Sequence, residues 1–234
     1  MSNCDSPTEG TAPMTQNVLV ELNNVFLKSD RGEYIFQDLS FILKAGRSAV
    51  ITGATGTGKT SLAEVLIGQR RAQSGSVEVM GETIKPGKTG TIKRVRRKIG
   101  GVGGIFGLMP SLTVAENITF PLILSGESRK VRRERLLKML TEFSLLKQAR
   151  EYPHSLTRVE NTLVQFARAS IAHQPLMLID EPLAGLDQKT YQRIFENLVS
   201  VSLSGRSMII LCSDLPSQQL PNTDYYQIVN GGLV

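Results

Sequence analysis

One run of residues, Gly53-Ala54-Thr55-Gly56-Thr57-Gly58-Lys59-Thr60, constrains this chain more than any other. Ala49-Val50-Ile51 before it reads as a short buried strand, and Ser61-Leu62-Ala63-Glu64-Val65-Leu66-Ile67 after it reads as a helix. Strand, glycine-rich turn and helix in that order form a phosphate-binding loop. Gly53, Gly56 and Gly58 let the backbone turn tightly, so that successive N–H groups point inward at the positive end of a helix. Lys59 is placed to reach the outer phosphates of a nucleoside triphosphate. The Thr60 hydroxyl is placed to ligate Mg²⁺. Residues 53 to 61 are therefore the expected nucleotide site, with ATP and Mg²⁺ as its ligands.

A second run supplies acids. Leu176-Met177-Leu178-Ile179-Asp180-Glu181 is apolar until its last two residues, the pattern of a central parallel strand buried on both faces. We expect that strand to lie beside the one feeding the phosphate loop. Asp180 would then hold Mg²⁺ and Glu181, on the other face, would polarise a water for in-line attack on the terminal phosphate.

The chain has 234 residues, enough to bury roughly 70% of its unfolded surface. No apolar run nears the ~18 residues of a membrane span. Two cysteines, Cys4 and Cys212, are too few for a disulfide framework, which points to a reducing compartment. Residues 1–16 read as a disordered tail without the features of a signal peptide. The net charge of +6 is concentrated at Lys93, Arg94, Arg96, Arg97 and Lys98 and again at Arg129, Lys130, Arg132, Arg133 and Arg135. No aromatic residue is interleaved for base stacking, so both clusters read as solvated helix faces and no specific nucleic acid is expected.

In chain order, 17–22, 34–36 and 39–43 read as strands of an antiparallel layer, with a turn at Asp30-Arg31-Gly32. Ser74-Gly75 reads as a turn before a strand over 77–81. A basic helix follows near 91–98, and then a glycine-dense stretch, 100–107, the one low-complexity feature. Thr113 and Glu116 have the spacing of a capping box. From Ser128 a helix follows with Val131, Leu136, Leu137, Leu140 and Phe143 on its core face. Further helices are expected over 159–172 and 188–201, a strand over 208–212, and a closing hairpin at 225–232. Alternating strands and helices give an α/β fold with a mainly parallel sheet, an antiparallel layer and an inserted helical subdomain at about 105–172. Residues 17–234 read as one domain.

The chain resembles the ATP-binding subunits of ABC transporters over nearly all of residues 17–234. The resemblance rests on the phosphate loop, on 176–181, on Leu183-Ala184-Gly185-Leu186-Asp187 as a D-loop ending in Asp187, and on Ala167-Arg168-Ala169. Arg96-Arg97-Lys98-Ile99-Gly100, Leu108-Met109-Pro110 and Phe120-Pro121-Leu122 are most similar to the cell-division ATPase FtsE and the lipoprotein-release and macrolide-export ATPases. This implies an ATP-dependent dimer, homodimer or heterodimer, docked on an integral membrane subunit such as an FtsX-like permease. It also implies a place in the cytoplasm, peripheral on the inner face of the cell membrane.

The chain departs from the family at four contacts. Where a Leu-Ser-Gly-Gly-Gln signature is expected, Leu156-Thr157-Arg158-Val159-Glu160 stands. The Q-loop glutamine falls on Gly104 and the switch histidine on Ser213. The adenine-stacking aromatic falls near Ser29, with Tyr34 as a substitute. Ground-state contacts to ATP are kept while groups that position and stabilise the transferring phosphoryl are altered, so slow turnover is expected. Two readings stay open: an FtsE-like ATP-binding subunit, and a non-hydrolysing ATP-binding scaffold for a division or envelope complex.

Overall fold

The computed structural model describes residues 18–85, 87–181 and 185–234. The N-terminal tail and Leu183-Ala184 lie outside them. Along the chain run β1 (Val18–Lys28), β2 (Tyr34–Lys44), β3 (Ser48–Thr52), α1 (Lys59–Leu66), β4 (Ser74–Val79), β5 (Glu82–Thr83), α2 (Thr89–Arg97) and β6 (Ile99–Val102). Then come α3 (Val114–Leu124), α4 (Arg129–Glu142), α5 (Arg158–Ile171), β7 (Leu176–Asp180), α6 (Gln188–Leu203), β8 (Ser207–Cys212), β9 (Thr223–Val229) and β10 (Gly232–Leu233). The fold is α/β, as the alternation of elements implies.

A four-stranded antiparallel sheet has the order β2-β1-β4-β5, and a six-stranded, mainly parallel sheet has the order β10-β9-β3-β8-β7-β6. Strand alternation sorts the apolar side chains between two cores. Val50, Met177, Ile179, Met208 and Ile210 face α5 and α6, whereas Ala49, Ile51, Leu176, Leu178, Ile209 and Leu211 face α1 and the antiparallel sheet. The continuous apolar runs of β3, β7 and β8 follow from this, because each strand is buried on both faces.

Four local expectations change. β7 is not the neighbour of β3: β8 lies between them and pairs in parallel with both. The two short strands expected over 34–43 are one strand, carried past an irregularity by Asp38 at φ +61°. Ser74 and Gly75 lie inside β4 and not in a turn. The glycine-dense stretch begins with a strand, β6, at the edge of the parallel sheet.

The glycines in and just after β6 have a packing reason. A Cβ on Gly100 would stand 2.5 Å from the Ala169 carbonyl oxygen of α5, and one on Gly103, at φ +118°, 2.5 Å from the Asp180 carbonyl oxygen. The strand lies so close to helix and neighbouring strand that backbone fills the space of side chains. Gly100→Val should therefore lower the unfolding free energy by about 1–3 kcal/mol, the usual range for overpacking, as read from a urea titration. Gly104→Ala, facing open space, should leave it nearly unchanged.

Candidate functional site

β3 ends in the phosphate loop at the centre of the parallel sheet, where both its neighbours are parallel strands. Gly58 caps α1 at φ +100° and accepts from the Leu62 N–H at 2.8 Å, so the loop passes directly into the helix. Gly56 also takes a left-handed conformation, at φ +88°. Thr57 turns back on the loop, donating through its hydroxyl to the Ala54 carbonyl at 2.9 Å. Thr55 and Gly56 stay exposed at the rim, and Ser61 is half-buried on the first turn of α1.

Lys59 is only 6% exposed. Its ammonium donates to the Gly53 carbonyl at 2.6 Å and the Ala54 carbonyl at 3.1 Å, and it lies 3.2 Å from a Glu181 carboxylate oxygen. Thr60 donates its hydroxyl to Asp180 Oδ2 at 2.8 Å, across the intervening strand. The acid expected from an adjacent strand is thus delivered from the next one over. The parallel register sets the carboxyl ends of β3, β8 and β7 side by side.

Asp180 is 7% exposed, and its Oδ1 is buried without a hydrogen-bond partner among the described residues. Burial pushes its carboxyl up. The Thr60 hydroxyl opposes that shift, the Glu181 charge adds to it and the Lys59 charge opposes it. An unpaired, desolvated carboxylate oxygen beside a threonine hydroxyl suits a hard cation that takes oxygen ligands. Mg²⁺ uses one or two carboxylates together with substrate phosphates. The residues present fit that ion.

Glu181 sits one residue past β7 in a left-handed conformation, φ +52°. This turn brings its carboxylate beside Lys59. Ser213, just after β8, donates through its hydroxyl to Oε1 at 2.6 Å and through its backbone N–H to Oε2 at 3.2 Å. Sequence reasoning read Ser213 as a lost contact, and the tertiary structure makes it the partner that orients Glu181. Gln165 of α5 was also missed. Its carbonyl accepts from the Gly103 N–H at 2.7 Å and fixes the loop next to Asp180. Only its inward position on the helix marked it in the sequence.

At the degenerate signature, Thr157 caps α5. Its hydroxyl accepts from the Glu160 N–H at 3.2 Å, and Glu160 accepts from the Thr157 N–H at 2.8 Å. Arg158 and Val159 fill the intervening helical positions. The N–H groups at this end are thus partly satisfied from within, and a carboxylate stands where an anion would approach. The Thr157 N–H and hydroxyl hold Glu160 below the usual carboxylate range. Thr157→Ala should cost about 1 kcal/mol in a denaturant titration at neutral pH. A lowered folded-state pKa stabilises above the unfolded value and loses that contribution as pH falls through the folded one, so this penalty should shrink in acid.

Tyr34, the candidate adenine platform, opens β2 next to Ile35, which packs against Gly58. Lys28 lies 4.4 Å over its ring and Phe26 meets it edge-on. Asp187 caps α6, accepting from the N–H groups of Lys189 and Thr190. Gly104 lies in a single 3-10 turn, 104–106, whose last carbonyl, that of Phe106, accepts from Arg168 together with the next one, that of Gly107. Burial lowers that guanidinium to about 10.

Sequence and fold comparisons agree with this geometry. The family model described as ABC transporter matches residues 36–184, more than half of the chain. The chain belongs to the ABC transporter family. This ABC protein is 26% identical over 219 residues to the cell division ATP-binding protein FtsE of Streptococcus pneumoniae, covering 92% of this chain and 94% of that one. It is 29% identical over 205 residues to the macrolide export ATP-binding/permease protein MacB of Burkholderia pseudomallei, covering 87% of this chain but 31% of that one. Among solved structures, a dimeric post-hydrolysis state of the ATP-binding cassette MJ0796 bound to ADP and Pi superimposes with a TM-score of 0.81 at 26% identity, covering 92% of this chain and 96% of that one. The fold is accordingly a P-loop NTPase of the ABC ATPase type.

Proposed function

We propose that the chain is the ATP-binding subunit of an FtsE-like membrane complex, binding Mg-ATP on residues 53–61 and coupling binding and slow hydrolysis to an integral membrane partner. The observation that carries this reading is the hydrogen-bonded cluster of Lys59, Thr60, Asp180 and Glu181 at the mouth of the glycine loop. Lys59 and the loop N–H groups bind the phosphates, and Thr60 with Asp180 holds the metal. When bound, Mg²⁺ supplies charge neutralisation at the phosphates. An incoming phosphate competes with Glu181 for the Lys59 ammonium, and Glu181, still held by Ser213, is left to accept a proton from the attacking water.

Slow turnover follows from what surrounds this cluster. Gly104 has no side chain with which to position water, Ser213 is short, and the start of α5 is closed by its own cap. The name of the FtsE relative supports a division role, and the dimeric state of the MJ0796 cassette supports an ATP-dependent dimer, either with a second copy or with another cassette. The permease named in the MacB relative supports a place beside a membrane, and we place the chain peripherally, on its cytoplasmic face; no helix among the described residues is long and apolar enough to cross a membrane. Residues 17–234 act as one domain with a helical subdomain at about 105–172.

The capping box at Thr157 favours a second reading, a scaffold whose ATP-bound state recruits its partner without hydrolysis. Mg-ATP binding by the purified chain, followed by phosphate release with and without the co-purified membrane subunit, separates the two. ATP binding with phosphate release that rises with the partner supports the first reading. Binding with no release in either state supports the second, and no ATP binding at all rejects both.

A further inference from the structure

The two basic clusters sit at opposite ends of their helices, and the fold accounts for only one of them. In α2, Arg94, Arg96 and Arg97 occupy the last turn, where cations meet the negative end of the helix dipole. Arg94 pairs with Glu82 at 3.0 Å and Arg96 donates to the Ile67 carbonyl at 2.7 Å. In α4 the arrangement is reversed. Arg129, Lys130, Arg132 and Arg133 crowd its N-terminal end, and no acidic residue stands in the first turn. Like charges therefore meet the positive end of the dipole and one another. Among the described residues none of these four makes an ion pair, and the buried Nε of Arg132 has no hydrogen-bond partner.

All four line a cleft of about 900 Å³ with Glu134 as its one carboxylate. Thr119 of α3 lines it as well. Leu137, expected on the core face of α4, lines the same cleft and is 59% exposed, because Met139, Leu140 and Phe143 take the core positions. Ile123, one helical turn beyond Thr119, is exposed as well. This surface therefore combines unpaired cations on long apolar stems with projecting aliphatic side chains. It does so at a helix end where local electrostatics disfavours the charge, and such violations of local rules mark functional surfaces.

We propose that this end of α4 binds an anionic bilayer. Lipid phosphates would pair with the four cations, their stems would lie along the headgroup region, and Leu137 and Ile123 would enter the acyl boundary. No aromatic side chain lines the cleft to stack a base, which disfavours single-stranded nucleic acid. The inference stands apart from nucleotide chemistry and is tested without ATP.

The full chain is sedimented with phosphatidylcholine vesicles, with and without phosphatidylglycerol, over a range of salt. We expect binding that requires phosphatidylglycerol and weakens with salt. Arg129→Gln with Arg133→Gln should lower the partition coefficient about 25-fold, roughly fivefold per cation. Lys93→Gln with Arg97→Gln, which removes equal charge from α2, should leave it unchanged. The Tm of the α4 variant should rise, since the change relieves repulsion at the helix start, and Leu137→Ser should weaken the binding that survives high salt. Partition indifferent to phosphatidylglycerol, or equal losses in the α2 and α4 variants, would overturn the proposal. So would a fall in Tm of the α4 variant, or tighter binding to single-stranded DNA or polyglutamate than to the vesicles.

Discussion

Glu181→Gln should lower the single-turnover rate of ATP hydrolysis by about 10²–10⁴, the usual contribution of a positioned general base, while ATP affinity stays level or improves. The split follows from the geometry. A Glu181 oxygen lies 3.2 Å from the Lys59 ammonium, so the carboxylate competes with phosphate for the same cation. Glutamine keeps the shape, with its carbonyl accepting from the Ser213 N–H and its amide donating to the Ser213 hydroxyl, but it neither draws Lys59 as strongly nor takes a proton. Rapid mixing with labelled Mg-ATP gives the rate, and a fluorescent analogue gives the affinity. Equal rates in the two proteins would remove Glu181 from the chemistry.

Lys59→Ala should weaken ATP binding roughly 10- to 150-fold, since a hydrogen bond to a charged group is worth about 1.5–3 kcal/mol. The ammonium is buried and also ties together the carbonyls of Gly53 and Ala54, so the loop loses its internal clamp along with its phosphate contact. Lys59→Arg should not restore affinity, because a planar guanidinium does not fit where a compact ammonium sits 6% exposed. Titration with Mg-ATP measures both variants. Wild-type affinity in Lys59→Ala would place the nucleotide elsewhere on the chain.

Much of the site was legible in the sequence because its chemistry is local. The glycine loop needs small residues and a following helix at fixed offsets, and the run ending in Asp180 and Glu181 needs burial on both faces, which a continuous apolar string announces. Two helix starts were legible for the same reason: Thr113 and Ser128 cap within four residues of themselves, whereas the capping box at Thr157 emerged only in the structure. The strand in the glycine-dense stretch was hidden, because Gly100 answers to a helix carbonyl about seventy positions away, at Ala169, and Gly101 to the Phe106 ring folded back over it, neither of which a local pattern announces. Leu137 misled for a related reason. Apolar spacing alone leaves the core face of α4 ambiguous, and packing against the rest of the helical region chose Met139 and Leu140.

By itself, then, the sequence determined the glycine loop between strand and helix, the two acids that end an apolar strand and the α/β class, since each depends on residues close together in the chain. Tertiary structure alone decided that β8 separates the loop strand from the acid strand, and that Ser213 grips Glu181. It also gave Arg94 and Arg96 of α2 their partners and left Arg129, Lys130, Arg132 and Arg133 of α4 without an ion pair among the described residues. Strand order, opposing charges and unpaired donors are properties of distant segments brought together, and no local pattern of side chains encodes them.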